Sequence, residues 1–275
     1  MLKQVIRNLF SNWAGLVINV VVSFFLAPFV VRHLGNTYFG IWAVVGQFIG
    51  YLYLLDFGIR ESIIRYASRF RALEKGDELE TIVQVSFWFY MLIAAACFVL
   101  TAVIAFFFTS IFGVDPALRS EIAITVLLAG GTVTQLFVFN VFSGLLMGFQ
   151  RYDLFNAANI VSTLIRAGLF VWALTEGYGI VALAAIQFAI ALLTGLVLAT
   201  KSLSIARLSG LSIKLGIPQR EDVIKTQKKI VSYSVLVLIN NLGQKIVFMT
   251  DAILIGLFLP VSQVTFYVIA ATLVG

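Results

Sequence analysis

The chain has 275 residues, 61% of them hydrophobic and only 12% charged, with 25 Phe and a formal net charge of +6. A soluble domain runs at about 45–50% apolar and about 25% charged residues, so this chain cannot cover a water-facing surface; disordered, collagenous, coiled-coil and disulfide-rich secreted classes fall on the same numbers. A single Cys (Cys97) allows no internal disulfide, and a single His (His33) leaves no His cluster for a metal.

Crossing a hydrocarbon core roughly 30 Å thick takes about 20 apolar residues. The sequence offers seven such runs, at 9–31, 38–59, 82–109, 122–148, 156–175, 179–200 and 230–258, and a shorter one at 264–275. Gly35-Asn36, Asp115-Pro116 and Gly177-Tyr178-Gly179 mark tight connections between them. Within lipid every backbone N–H and C=O must be satisfied inside the segment, and runs of this length and uniformity are helices rather than barrel strands. The expected fold is therefore all-α and multipass. Lys3 and Arg7 precede the first run in the manner of a signal peptide, but the run carries no small-residue cleavage site and reads as a retained helix. Pro28 is expected to kink that helix, because it removes an i→i−4 hydrogen bond. The last run holds 12 residues, a rise of about 18 Å and too short to cross; the sequence is read as a fragment whose eighth span is incomplete.

Orientation follows the Lys and Arg near the span ends. With the N-terminus inside, 15 of the 19 basic residues fall in cytoplasmic segments and two, Arg32 and Arg119, fall outside. The positive charge is thus explained by topology and calls for no nucleic-acid partner. The 60–81 segment, including Glu74, Asp77, Glu78 and Glu80, is expected to be a solvated cytoplasmic loop. The 201–229 segment, with Ile213, Leu215 and Ile217 among basic residues, is expected at the cytoplasmic interface. Gly46-x-x-x-Gly50 and Gly144-x-x-x-Gly148 allow close helix approach.

Polar residues form stripes. At 100° per residue, Asn8, Ser11, Asn12, Asn19 and Ser23 of the first span share an arc of about 120°. Asn156, Asn159, Ser162, Thr163 and Arg166 do so on the fifth, and Ser234, Asn240, Asn241, Gln244, Lys245 and Asp251 on the seventh. The fourth adds Thr125, Thr132, Gln135, Asn140 and Ser143. Each residue alone is open to a bland reading as interhelical glue; stripes on four helices, two with a mid-span cation, favour a shared polar cavity. A central Arg or Lys costs at least about 2.5–3.5 kcal/mol on insertion scales, so Arg166 and Lys245 are expected to face a cavity or a partner. Asn19, Asn159, Asn241 and Gln244 complete the candidate substrate-binding set, and Asp251 is a candidate for ion coupling or for a structural salt bridge. No Gly-x-x-x-x-Gly-Lys-Ser/Thr loop, catalytic constellation or cofactor motif occurs, and the protein is not expected to be an enzyme.

Several stretches carry a family resemblance. They are Leu26-Ala-Pro-Phe-Val-Val-Arg-His-Leu-Gly35 with Tyr38-Phe-Gly-Ile-Trp42, Leu54-Leu-Asp-Phe-Gly-Ile-Arg60 with Arg65-Tyr66, Gly148-Phe-Gln-Arg-Tyr-Asp153, and Thr250-Asp-Ala-Ile-Leu-Ile-Gly256. In this order the chain resembles the polysaccharide transporter (O-antigen flippase) family, relatives of the MATE exporters and the lipid II flippases. The resemblance implies a MATE-like bundle of two six-helix lobes around a central cavity. Residues 1–200 would be the N-terminal lobe, 201–229 a cytoplasmic interlobe linker and 230–275 the start of the second lobe. It further implies no cofactor and a place in the cytoplasmic (inner) membrane. The cargo would be an undecaprenyl-pyrophosphate-linked oligosaccharide, and other polysaccharide-assembly membrane proteins are candidate partners. The competing readings are a MATE-like exporter of small molecules and a membrane-embedded glycan polymerase or ligase.

Overall fold

A computed structural model describes residues 2–73, 76–211, 213–219, 221, 223, 239–240, 242–243 and 250–274. The fold is all-helical, with no strand among the described residues, and five helical stretches are long and apolar enough to cross a membrane. In chain order the helices are α1 (Leu2–Leu52), α2 (Ile59–Ala72), α3 (Gly76–Ile111), α4 (Arg119–Gly148), α5 (Tyr152–Thr175), α6 (Ile180–Leu208) and α7 (Ser262–Val274), with a further helical stretch at 250–258. The chain is a multi-pass membrane helical bundle. The expected 230–258 span lies mostly outside the described residues.

α1 contains the first two expected spans, joined at Gly35. There φ is 75° and ψ 168°, a region open essentially to Gly alone, so the helix breaks at this residue; Pro28 keeps helical dihedrals. Both arms share one apolar cluster, in which Val30 and Phe39 are buried together with Phe170, Leu174 and Leu183. The second arm packs on the end of the chain. Tyr51 meets Thr250 at 2.5 Å, Val44 approaches Gly256, and Thr265 donates to the Asn36 carbonyl at 2.7 Å.

The first arm lies along α5 in parallel, and the polar stripes of the two helices meet each other. Arg7 pairs with Asp153 at 3.6 Å, Asn156 donates to Ser11 at 2.9 Å and to Asn12, and Thr163 donates to Asn19 at 3.2 Å. The partners lie 144 to 146 residues apart at every one of these contacts, the near-constant offset that parallel helices in register require. The bland reading therefore applies to these residues: amides and hydroxyls here bind helix to helix.

The 60–81 segment departs from the expected loop. Ile59, Ile63, Ala67 and Phe70 recur at helical spacing and are all buried against α3 and α4, which makes α2 an amphipathic helix. The close approach of α2 to α4 depends on Gly144 and Gly148, where an added Cβ would crowd Ile63 and Ala67, and Ser68 donates to the Gly148 carbonyl at 2.9 Å. Gly46 has no such neighbour. Asp77, Glu78 and Glu80 belong to the opening turns of α3, where carboxylates complement the positive end of the helix dipole.

Beyond α6 the chain runs extended across the start of α3. Lys214 N–H donates to Glu80 at 3.1 Å, Gln84 donates to the Lys214 carbonyl at 2.8 Å, and the Trp88 indole donates to the Gly216 carbonyl at 3.0 Å. Leu211, Ile213 and Leu215 turn onto the core formed by α2, α3 and α4, while Ile217 is 83% exposed. Ile213 and Leu215 are thus packed in protein, correcting their expected place at a lipid interface. This strap, α2, the α4–α5 connection and the beginning of α1 lie at one end of the bundle. Arg7, Arg65, Arg69, Arg151, Arg207 and Lys214 are concentrated there.

Candidate functional site

The bundle contains a partly open chamber of about 550 Å³ between α2, α4, α5, α6 and the turn that follows α1. Its polar lining comes from five places in the sequence: Asp56 in the 3-10 turn that follows α1, Arg60 and Glu61 on α2, Thr132, Asn140 and Ser143 on α4, Asn159, Ser162 and Arg166 on α5, and Gln187 and Thr194 on α6. Local backbone geometry places the first group. Phe57 and Gly58 both have positive φ, 49° and 70°, and they end the 3-10 turn so that α2 starts at Ile59. That reversal brings Asp56, Arg60 and Glu61 inward together instead of letting the second span run straight out to water.

The charges in the chamber are not equivalent. Asp56 accepts hydrogen bonds from the Tyr90 hydroxyl and from Asn140 Nδ2 at 3.2 Å, which hold its carboxylate against the α3–α4 wall. Tyr90 in turn is fully buried and stacks on Phe137 with ring centroids 6.1 Å apart. Arg60 forms an ion pair with its neighbour Glu61 at 3.2 Å, each side chain about one-third exposed (36% and 34%). Arg60 Nε and Glu61 Oε2 are buried without a hydrogen-bond partner. Arg166 faces the same space from α5, and among the described residues no carboxylate pairs with it. A mid-span guanidinium is costly without compensation, and among the described residues Arg166 has none from an ion pair. With Asp56 and Glu61 opposite Arg60 and Arg166, the described lining has formal charges of both signs in balance and is less cationic than a chamber lined by Arg166 and Lys245 alone.

The structure brings together two of the residues expected from the sequence, Arg166 and Asn159, with Ser162 and the fourth-span residues Thr132, Asn140 and Ser143. Asn19 is not part of the lining; its amide donates to the Gly15 carbonyl at 2.9 Å and its oxygen accepts from Thr163. Gln135 instead donates to the Phe188 carbonyl of α6 at 2.8 Å. Asp251 accepts from the Tyr267 hydroxyl at 2.6 Å, away from the chamber and from Arg166. Asn241, Gln244 and Lys245 lie outside the described residues. Sequence reasoning missed Asp56, Arg60, Glu61, Gln187 and Thr194. The first three carried a signal, three charges within six residues at the end of an apolar run; Asp56 fell inside the expected 38–59 span without being singled out, and reading 60–81 as a loop placed Arg60 and Glu61 in water. No group of His, Cys, Asp and Glu suited to a metal ion occurs among the described residues.

Fold and chamber together define a polytopic helical membrane protein with a polar, charge-bearing cavity inside the bundle. The sequence profile of the family described as polysaccharide biosynthesis protein matches residues 5–275. The chain belongs to that family. No curated protein and no solved structure matches it significantly.

Proposed function

We propose that the protein is a flippase that moves an undecaprenyl-pyrophosphate-linked oligosaccharide across the cytoplasmic membrane, with its N-terminus inside, and that it is a transporter rather than an enzyme. The observation that carries this reading is the chamber, where an Arg with no carboxylate partner among the described residues stands among amides and hydroxyls within a bundle of apolar helices. Arg166 offers a planar fork of donors that suits phosphate oxygens. Asn140, Asn159 and Gln187 offer donors and acceptors that suit sugar hydroxyls. Translocation needs no bond to be made or broken, only a polar compartment that is presented to one side and then the other, as in the repeat-built transporters. The basic end of the bundle would face the cytoplasm. Other polysaccharide-assembly membrane proteins remain natural partners of such a transporter.

A MATE-like exporter of small molecules is the second reading, and Asp56 is the observation in its favour: a carboxylate in the chamber wall suits a cationic cargo or a coupling ion. Arg166, which no described carboxylate pairs with, weighs toward the anionic cargo.

The test is Arg166→Gln in cells lacking the wild-type copy. Surface polysaccharide should be lost while protein level and thermal stability in detergent stay near wild type, and Arg166→Lys should restore part of the activity. Normal polysaccharide in Arg166→Gln, or loss accompanied by unfolding, would refute the role of Arg166.

A further inference from the structure

Beside the polar chamber, α5 and α6 flank a second space of about 380 Å³ whose walls are nearly all apolar. The two helices are tight at their short connection, where Phe170, Ala173 and Leu174 on one and Ile180, Leu183 and Ala184 on the other are buried. Toward the basic end they part. Val161 and Ile165 of α5 and Leu193 and Val197 of α6 line the resulting groove and are each about half exposed. Lys201, an exposed cation, stands at one end of it.

Groove and chamber are contiguous, because Ser162, Ile190, Thr194 and Leu198 line both. The two hydroxyls in this shared wall are already used within their own helices. Ser162 donates to the Asn159 carbonyl at 2.9 Å and Thr194 to the Ile190 carbonyl at 2.7 Å. The passage from chamber to groove therefore presents no orphan hydroxyl donor that a hydrocarbon chain would leave unsatisfied. On α5 the two environments sit on neighbouring residues: Ile165 lines the groove and Arg166 the chamber.

We propose that this groove seats the hydrocarbon tail of the amphiphile whose anionic head enters the chamber, with Lys201 at the lip meeting the head as it arrives; the assignment rests on the flippase reading above. A cation at the mouth and another inside match an anionic head, and the apolar walls match a polyprenyl chain drawn from the surrounding bilayer. Lipid tails are as apolar as Leu, so there is no hydrophobic gain in leaving lipid for the groove. Selection has to come from van der Waals fit to its walls, and the groove is thus a shape filter for the tail rather than a source of bulk affinity.

The test places a benzophenone side chain at Val161 or Leu193, and at Val99 of α3 as a control position that is 62% exposed outside the groove. The protein, in nanodiscs, is irradiated with radiolabelled undecaprenyl diphosphate and separately with radiolabelled phosphatidylglycerol. Undecaprenyl diphosphate should be captured several-fold more at Val161 and Leu193 than at Val99, and phosphatidylglycerol about equally at all three. Ala158→Trp, which fills the groove, should abolish the excess at Leu193; the comparison of positions stands even where that variant fails to fold. Equal capture of undecaprenyl diphosphate at the three positions, with its equilibrium binding intact, overturns the tail groove and leaves the flippase reading standing. Capture of another polypeptide segment at Leu193 in place of lipid also overturns it, because a helix then covers the groove. Absence of any undecaprenyl diphosphate binding overturns the flippase reading and the groove with it.

Discussion

Gly148→Ala is the sharpest test of how α2 is held in place. A Cβ at this position would lie 3.2 Å from the Ile64 carbonyl oxygen and would overlap the buried methyl of Ala67. Carbon atoms pack at about 3.5–4.0 Å, and the overlap with the Ala67 methyl exceeds about 1 Å. Neither neighbour is the mobile tip of a long side chain, so α2 itself must move. Overpacking of this kind costs about 1–3 kcal/mol, and the expected value lies in the upper half of that range. Ala67→Gly should cost about 1–2 kcal/mol, from helix propensity and one lost buried methyl. The double variant only transfers a methyl from one helix to the other, so it should cost about 1 kcal/mol, far less than the two singles together. The cycle therefore predicts a coupling of about 2 kcal/mol or more, measured by reversible unfolding in mixed micelles. Coupling below about 0.5 kcal/mol, the scatter expected of independent sites, would refute the idea that these two residues set the α2–α4 separation. Because α2 carries Arg60 and Glu61 into the chamber, transport should fall in Gly148→Ala and recover in the double variant.

Tyr90→Phe leaves the Asp56 carboxylate with Asn140 alone; it should destabilise by about 1–3 kcal/mol, and by clearly less in an Asp56→Asn background, as unfolding in micelles would reveal. Asn156→Ala removes the bonds to Ser11 and Asn12 and should cost about 0.6–1.7 kcal/mol, from the average to the largest value for hydrogen bonds between membrane helices; a cysteine pair at 12 and 156 should cross-link readily, and failure to do so would contradict the parallel α1–α5 contact. Trp88→Phe combined with Gln84→Ala removes two donors to the strap, and maleimide labelling of a cysteine introduced at Lys214 should then quicken several-fold. An unchanged labelling rate would mean that the Lys214–Glu80 bond and the apolar contacts of Leu211, Ile213 and Leu215 suffice to hold the strap down.

Composition and run length alone determined that this chain lives in a bilayer as helices, because lipid leaves the backbone no other way to satisfy its polar groups. The positions of α3, α4, α5 and α6 and the break at Gly35 were legible for the same reason, and so was Arg166, since the cost of a mid-span cation is a property of one residue and its depth. Other features were visible but ambiguous. Ile59, Ile63, Ala67 and Phe70 have helical period and Leu211, Ile213 and Leu215 alternate, yet nothing local says whether an apolar face meets lipid or protein. Only tertiary packing decided which polar stripe binds a neighbour and which lines a cavity. Ser11, Asn12 and Asn19 face α5, whereas Asn140 and Asn159 line the chamber, although all five look alike in sequence. Arg60 and Glu61 were misplaced, and Asp56 overlooked, because two residues with positive φ turn the chain back at Phe57 and Gly58. A hydrogen-bonding side chain is satisfied by whatever donor or acceptor the fold brings within about 3 Å, and that partner is a long-range property of the bundle, not of the helix that carries the side chain.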